Sequence, residues 1–223
     1  MSIPPLPDGE IHIWSADRRD TDLGHARQVL DPGELARADR RGEPGRSRYL
    51  ASHLAFRTIL GGYLGRAADT LRFDRRCAHC GDPGHGKPAA DPALDASLSH
   101  SGERFLIAVC RSPGRVGVDI ERIRPGVDWA AISALRSLPR LAGFQEWTRT
   151  EAVLKAAGVG LAGRARPWPG APDGGTHPAG RRFLVDGSPE PWYAHDLGCP
   201  PGHVGAVATG LPDATVRMFT WSG

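Results

Sequence analysis

FLIAVCRSPGRVGVDIE, residues 105–121, contains two apolar runs on either side of a Ser-Pro-Gly turn. Short runs rich in valine, isoleucine and phenylalanine are typical of β-strands, and a short turn between two of them is typical of a hairpin. We therefore predict that 105–109 and 116–120 are the paired strands of one hairpin.

The rest of the sequence mixes helical and strand patterns. The apolar spacing of 47–64 predicts a helix, and so does that of 144–157, which is followed by Gly158 and Gly160. Further strands are predicted at 11–14, 182–185, 191–194 and 204–208, and a Pro- and Gly-rich loop at 163–180. Short strands combined with a few helices indicate the α+β class.

The composition limits the setting of the protein. Among 223 residues, 28 basic and 25 acidic side chains leave a net charge of +3, which is too balanced for non-specific nucleic-acid binding. No run approaches the roughly 20 apolar residues of a membrane span, and the N-terminus lacks the basic and apolar regions of a secretory signal. Four cysteines are too few for a disulfide scaffold. We expect a cytoplasmic protein without a nucleic-acid or membrane partner.

Two carboxylates, Asp119 and Glu121, lie two residues apart on the second predicted strand. Side chains at this spacing project to the same side of a strand. A hard divalent cation such as Mg²⁺ would remove their mutual repulsion. On this segment alone, a metal site and an edge strand with two solvated acids are equally good interpretations.

Glu151 and Lys155 form a second group of candidate residues. On the predicted helix they are four residues apart and share a face with Trp147. A single Glu-Lys pair at this spacing is usually a surface ion pair, so a further motif has to decide between the two interpretations.

That motif is Ser97-Leu98-Ser99-His100-Ser101-Gly102, which follows Gly86-Lys87-Pro88 along the chain. In this order, and together with 116–121 and 147–161, the motifs resemble those of the 4′-phosphopantetheinyl transferases, specifically the class that acts on carrier domains of peptide and polyketide synthases. The resemblance covers most of the chain, because other positions also look like family features: Arg48, Arg57, 77–81, Trp192 and Gly205-Ala206.

The resemblance implies an architecture. Two similar α/β lobes, related by a pseudo-twofold axis, would bind coenzyme A in the cleft between them. We place the boundary near Pro113, so that the lobes comprise residues 1–113 and 114–223. Two fused lobes could supply a complete cleft within one chain, and we expect a monomer.

The resemblance also implies ligands for a metal ion and for the nucleotide. Asp119, Glu121 and Glu151 would bind Mg²⁺, which holds the diphosphate of coenzyme A, and Lys155 would contact that diphosphate. The residues implied for the rest of the nucleotide are His100 and Ser99 at the 3′-phosphate, Arg48 and Arg37 as additional positive charge there, and Lys87 nearby.

The implied reaction is attack by a serine hydroxyl of an acyl or peptidyl carrier protein on the β-phosphorus of coenzyme A. It leaves 3′,5′-adenosine diphosphate and a phosphopantetheinylated carrier, which for this class belongs to secondary metabolite biosynthesis. Phosphoryl transfer depends mainly on positioning and charge neutralisation. Glu151 is the candidate base, and Lys155 is the candidate acid or electrostatic partner one helical turn away.

Two features depart from the family pattern. Thr150 stands where most members have lysine, and the segment between Glu121 and Trp147 is short. Two alternatives to active transfer therefore stay open. One is a protein that binds coenzyme A or a carrier arm without efficient transfer, and the other is a repurposed biosynthetic enzyme that uses the same cleft.

A zinc site is a further alternative for the loop that contains Cys77 and Cys80. A Cys-x-x-Cys pair is half of a zinc ribbon, but no second cysteine pair follows in the sequence, and His79 and His85 are weak substitutes. A plain loop is the favoured interpretation.

Overall fold

The computed structural model describes residues 2–77, 81–82, 86–135, 143–160, 163–168 and 180–223. Its helices are α1 (Ala26–Val29), α2 (Pro32–Asp39), α3 (Gly45–Leu64), α4 (Trp129–Leu135) and α5 (Phe144–Ala157). Its strands are β1 (Glu10–Asp17), β2 (Leu94–Ser101), β3 (Arg104–Arg111), β4 (Val116–Arg122), β5 (Ala165–Pro167), β6 (Arg181–Val185), β7 (Trp192–Leu197), β8 (His203–Thr209) and β9 (Thr215–Thr220). The combination of helices with two separate sheets confirms the α+β class.

The first sheet has the strand order β2-β3-β1-β9. β1 is antiparallel to β3 and parallel to β9, so the end of the chain returns to the sheet in which the chain begins. The long helix α3 packs on one face of this sheet, where Phe56 and Ile59 meet Phe105 and Ile107 in a buried cluster. Burial of apolar surface is the main contribution to the stability of this packing between α3 and the sheet.

The second sheet has the strand order β4-β8-β7-β6-β5. Helix α5 covers one face of it, and Ala152 and Ala156 pack there with Ala206 and Ala208. The close approach requires Gly117 on β4, because a Cβ at this position would overlap the backbone of Ala152 and Ala156. The two carboxylates of β4 are thereby brought directly beside α5.

The prediction of a hairpin between 105–109 and 116–120 is wrong. β3 pairs with β1 and β2, whereas β4 pairs with β8 in the other sheet. Both strands are buried on both faces, and their side chains meet in an apolar core between the sheets that includes Leu106, Ala108, Val118 and Ile120. Continuous apolar runs are typical of strands buried on both faces, and they do not specify the hydrogen-bonding partner.

The remaining predictions from the sequence concern two helices, four strands and one loop. Helices at 47–64 and 144–157 are confirmed, as are strands at 11–14, 182–185 and 204–208, and the strand predicted at 191–194 is 192–197. The predicted loop at 163–180 contains the short strand β5, because Ala165 pairs with Val185 at the sheet edge. Residues 169–179 of that loop, and His79, Cys80 and His85 of the zinc alternative, lie outside the described residues.

Two predictions about architecture stay predictions. They are the pseudo-twofold relation between similar lobes and the boundary near Pro113. Strand β9 does not fit a simple division of the chain at this boundary, because it lies within 114–223 yet pairs with β1. Among the described residues, no helix combines the length and the apolar character that crossing a membrane requires.

Candidate active site

A small cavity of about 310 Å³ lies where β2, β4 and α5 meet. Its lining comprises Leu98, Ser99, His100, Asp119, Glu121, Trp147, Glu151 and Lys155. The strand period of two turns both β4 carboxylates to the same side. The helical spacing of four brings one face of α5 opposite them. The two groups of residues that the sequence singles out therefore line a single cavity.

A larger cavity of about 730 Å³ adjoins the small one, since both are lined by Leu98, His100 and Lys155. Its other lining residues include several basic and aromatic side chains: Arg41, Tyr49, His53, Phe56, Arg75 and Lys87. The rings of Tyr49 and His53 stack with their centroids 3.9 Å apart. The larger cavity thus combines positive charge and ring surface with access to the acidic small cavity.

Lys155 is held at the junction of the two cavities by three hydrogen bonds. Its Nζ donates to Asp119 Oδ1 at 2.6 Å, to Ser99 Oγ at 3.1 Å and to the Val118 carbonyl at 3.2 Å. An ammonium carries three hydrogens, so this set fixes its position. Burial raises the pKa of Asp119 above its ordinary value, although Lys155 and Ser99 oppose that effect.

The residues of the small cavity suit a hard cation. Asp119 Oδ2 is buried and has no hydrogen-bond partner among the described residues, and carboxylate oxygens are the ligands that Mg²⁺ prefers. Glu121 and Glu151 line the same cavity. The described part of the chain contains no group of three or more His, Cys, Asp or Glu side chains already arranged as a metal centre. Binding of Mg²⁺ by Asp119, Glu121 and Glu151 stays a prediction.

Some of the residues predicted for the nucleotide line the two cavities, and others do not. His100 lines both cavities and Lys87 lines the larger one, where its Nζ contacts Asp95 and donates to the Val116 carbonyl at 2.6 Å. Ser99 lines only the small cavity. Arg48 forms an ion pair with Glu103, and neither Arg48 nor Arg37 is among the lining residues of the two cavities.

Sequence reasoning missed four residues of the larger cavity, namely Arg41, Tyr49, His53 and Arg75. Arg41 lies in the arginine-rich stretch that precedes α3, which was an available signal. The other three are brought together by the packing of α3 against the segment that follows it, and no local pattern indicates this proximity.

A buried ion network lies behind the larger cavity. The fully buried Arg57 donates to Glu34 at 2.6 Å, to Asp31 at 2.7 Å and to two backbone carbonyls. Glu34 also contacts His53 at 3.3 Å and Arg75 at 3.7 Å. Burial acts to raise the pKa of Glu34, but the hydrogen bonds and charges of His53 and Arg57 outweigh it and lower that pKa to about 2. Arg57 is therefore structural, and its network supports two lining residues.

Thr150 does not line either cavity. Its side chain is buried, and its hydroxyl donates to the carbonyl of Glu146 at 2.8 Å within α5. The position at which the family pattern has lysine thus contributes no basic side chain to the candidate site in this chain.

Comparisons with known proteins identify the family. No family model matches the chain. A 4′-phosphopantetheinyl transferase of Nostoc sp., HetI, is 35% identical over 174 residues, which cover 70% of this chain and 72% of that protein. A 4′-phosphopantetheinyl transferase of Salmonella typhimurium, AcpT, is 38% identical over 89 residues, 33% of this chain and 46% of that protein. The chain belongs to the 4′-phosphopantetheinyl transferase superfamily and is an enzyme of this type.

Proposed function

We propose that this enzyme transfers the 4′-phosphopantetheine arm of coenzyme A to a serine of an acyl or peptidyl carrier protein, with Mg²⁺. The observation that carries the proposal is the junction of the two cavities. A basic cavity of about 730 Å³ and an acidic one of about 310 Å³ share Leu98, His100 and Lys155. A nucleotide diphosphate that carries a reactive phosphorus at one end needs this combination of charges.

The larger cavity would bind the nucleotide part of coenzyme A. Arg41 and Arg75 line it and would neutralise phosphate charge, since guanidinium groups match phosphate geometry. His100 lines it as well and would offer a ring nitrogen as a hydrogen-bond partner. Tyr49 and His53 would offer ring surface to the base. Lys87 would act less directly, because its ammonium already contacts Asp95 and Val116.

The small cavity would hold the diphosphate and the acceptor serine. Asp119, Glu121 and Glu151 would hold Mg²⁺, which would supply neutralisation of phosphate charge. Lys155 would keep a positive charge beside the leaving phosphate, in the position that its three hydrogen bonds define.

Glu151 would accept the proton of the carrier serine as its oxygen attacks the β-phosphorus. The new bond joins serine oxygen to the β-phosphorus, and the bond that breaks is the one from the β-phosphorus to the oxygen bridging it to the α-phosphate. The products are the modified carrier and 3′,5′-adenosine diphosphate. We also propose that two pseudo-symmetric lobes, 1–113 and 114–223, complete this cleft within a monomer.

The proposal is tested by removing the candidate base. The wild-type protein and the variants Glu151→Gln and Glu146→Gln are incubated with coenzyme A, Mg²⁺ and apo carrier proteins, and intact carrier masses are recorded. We expect Glu151→Gln to transfer at least about 100-fold more slowly while it still binds coenzyme A. Glu146→Gln makes the same charge change on α5 outside both cavities and should transfer normally. Normal turnover by Glu151→Gln would show that the proposed base is wrong.

The second candidate function is binding of coenzyme A or a carrier arm without efficient transfer. It is favoured by one observation, the buried Thr150 in place of a basic residue. Tight coenzyme A binding by the wild-type protein, with no mass gain for any acyl or peptidyl carrier protein, would support this alternative.

A further inference from the structure

The edge strands β2 and β4 belong to different sheets but run side by side. On the edge of β4 that does not pair with β8, oxygens of β2 side chains accept hydrogen bonds from the backbone N–H groups of β4. The four bonds are Val116 N–H to Asp95 at 2.7 Å, Val118 N–H to Ser97 at 3.1 Å, Ile120 N–H to Ser99 at 3.4 Å and Arg122 N–H to Ser101 at 3.0 Å. The register is regular, because both strands contribute every second residue.

The hydroxyl hydrogen of Ser101 has a defined acceptor. A serine hydroxyl has one hydrogen to donate and two lone pairs with which to accept. Ser101 Oγ accepts the Arg122 N–H, and it lies 2.8 Å from Glu121 Oε2. An ionised carboxylate only accepts, so the hydroxyl donates to Glu121.

For the Ser99 hydroxyl, every hydrogen bond can be assigned. Its Oγ receives one hydrogen bond from Lys155 Nζ at 3.1 Å and one from the Ile120 N–H at 3.4 Å. Both lone pairs are then used, and the single hydrogen is left for Asp119 Oδ1 at 2.7 Å. The buried hydroxyl therefore anchors one oxygen of Asp119, while Oδ2 of the same carboxylate has no hydrogen-bond partner among the described residues.

We propose that Ser99 and Ser101 are positioning residues that orient Asp119 and Glu121 for the divalent cation, an inference that rests on the function proposed above. Two serines and two acids each follow the strand period of two, so the register of β2 against β4 gives each carboxylate its own hydroxyl. Outer groups that orient metal-binding carboxylates commonly contribute 10- to 100-fold to metal affinity.

Ser97 provides the matched control. It bonds a β4 N–H in the same way as its two neighbours, at 3.1 Å to Val118. The structure records no hydrogen bond from its hydroxyl to a carboxylate among the described residues. Ser97 lines the larger cavity but not the small one. Its substitution therefore removes the strand contact without removing a carboxylate contact, whereas substitution of Ser101 removes both.

The test measures Mn²⁺ affinity by electron paramagnetic resonance of free Mn²⁺ at saturating coenzyme A. We expect Ser101→Ala and Ser101→Val to bind Mn²⁺ about 10-fold more weakly than wild type, and Ser101→Thr, which keeps the hydroxyl at the volume of valine, to stay within about 3-fold. Ser97→Ala should keep its Mn²⁺ affinity within about 2-fold, although its unfolding midpoint should fall further than that of Ser101→Ala, because it leaves a buried Val118 N–H without an acceptor whereas the Arg122 N–H is exposed.

Failure of the positioning role can be distinguished from failure of the proposed metal site. Wild-type affinity in Ser101→Val, an equal loss in Ser101→Thr, or an equal loss in Ser97→Ala would each overturn the positioning role and leave the transferase proposal intact. If the wild-type protein does not bind Mn²⁺ at all, the proposed metal ligands fail and the positioning role fails with them.

Discussion

Two ion pairs in this molecule differ in how completely their partners are satisfied. The Arg57 guanidinium donates to two carboxylates and two carbonyls, and its partner Glu34 has a pKa lowered to about 2. The Lys155 ammonium is also fully bonded, but its partner Asp119 has a raised pKa and a buried oxygen without a hydrogen-bond partner among the described residues. A pair bonded as fully as Arg57 and Glu34 is a structural part of the fold, although Arg75 Nη2 beside it has no hydrogen-bond partner among the described residues. An incomplete one, facing a cavity, indicates a site that binds something.

The largest effect on stability should come from breaking the pair of Arg57 and Glu34. Arg57→Met leaves Glu34 buried without its main cation, and we expect the free energy of unfolding to fall by about 3–5 kcal/mol. Urea denaturation measures this loss. The double variant Arg57→Met/Glu34→Leu should recover part of it, because the uncompensated charge is gone. An Arg57→Met variant as stable as the wild-type protein would contradict a structural role.

The second effect concerns the incomplete pair. Lys155→Met removes the cation at the junction of the cavities, and we expect the transfer rate to fall about 100-fold. Its free energy of unfolding should change less than that of Arg57→Met, because Lys155 is partly exposed and Arg57 is not. Rates come from the carrier mass assay, and urea denaturation gives the stability. Unimpaired transfer would show that Lys155 does not take part in the reaction.

The third effect is a pH dependence of stability from Glu34. Its pKa is lowered from an ordinary value of 4.5 to about 2 in the folded protein. The stabilisation is therefore present above about pH 4.5 and is lost as the pH falls toward about 2, with a magnitude on the order of 2 kcal/mol. Urea denaturation at pH 5, 4 and 3 should show a steeper loss for wild type than for Glu34→Gln. Parallel curves for the two proteins would contradict the assignment.

The smallest effect is expected for an ion pair outside both regions. Arg149 on α5 donates to Asp196 of β7 at 2.7 Å, and Asp196 is exposed. Exposed pairs contribute about 0–1 kcal/mol, so Arg149→Met should unfold nearly as wild type does and transfer normally. It is the matched control for Lys155→Met, since both remove one cation from the same helix. A loss of transfer comparable with that of Lys155→Met would contradict this contrast.

The sequence predicted those parts of the site that depend on local periodicity. The spacings of Asp119 with Glu121 and of Glu151 with Lys155 follow the strand and helix periods, and both pairs line the small cavity. The helices at 47–64 and 144–157 were predictable for the same reason.

The features that failed are those set by contacts distant in sequence. The hairpin prediction was wrong because two apolar runs do not reveal that one pairs in each sheet. The contribution of Arg75 and His53 to the larger cavity depends on the Glu34 network, which joins α2, α3 and the segment after α3. The contact of Ser99 with Asp119 depends on the register between β2 and β4.

Measurement of product stoichiometry decides whether phosphopantetheine is transferred within the joined cavities. The wild-type protein is incubated with coenzyme A, Mg²⁺ and a panel of apo acyl and peptidyl carrier proteins, and modified carrier and 3′,5′-adenosine diphosphate are quantified together. We predict that both products form in equal amounts with at least one carrier and that neither forms without the enzyme. Bound coenzyme A that yields neither product with any carrier would contradict the account.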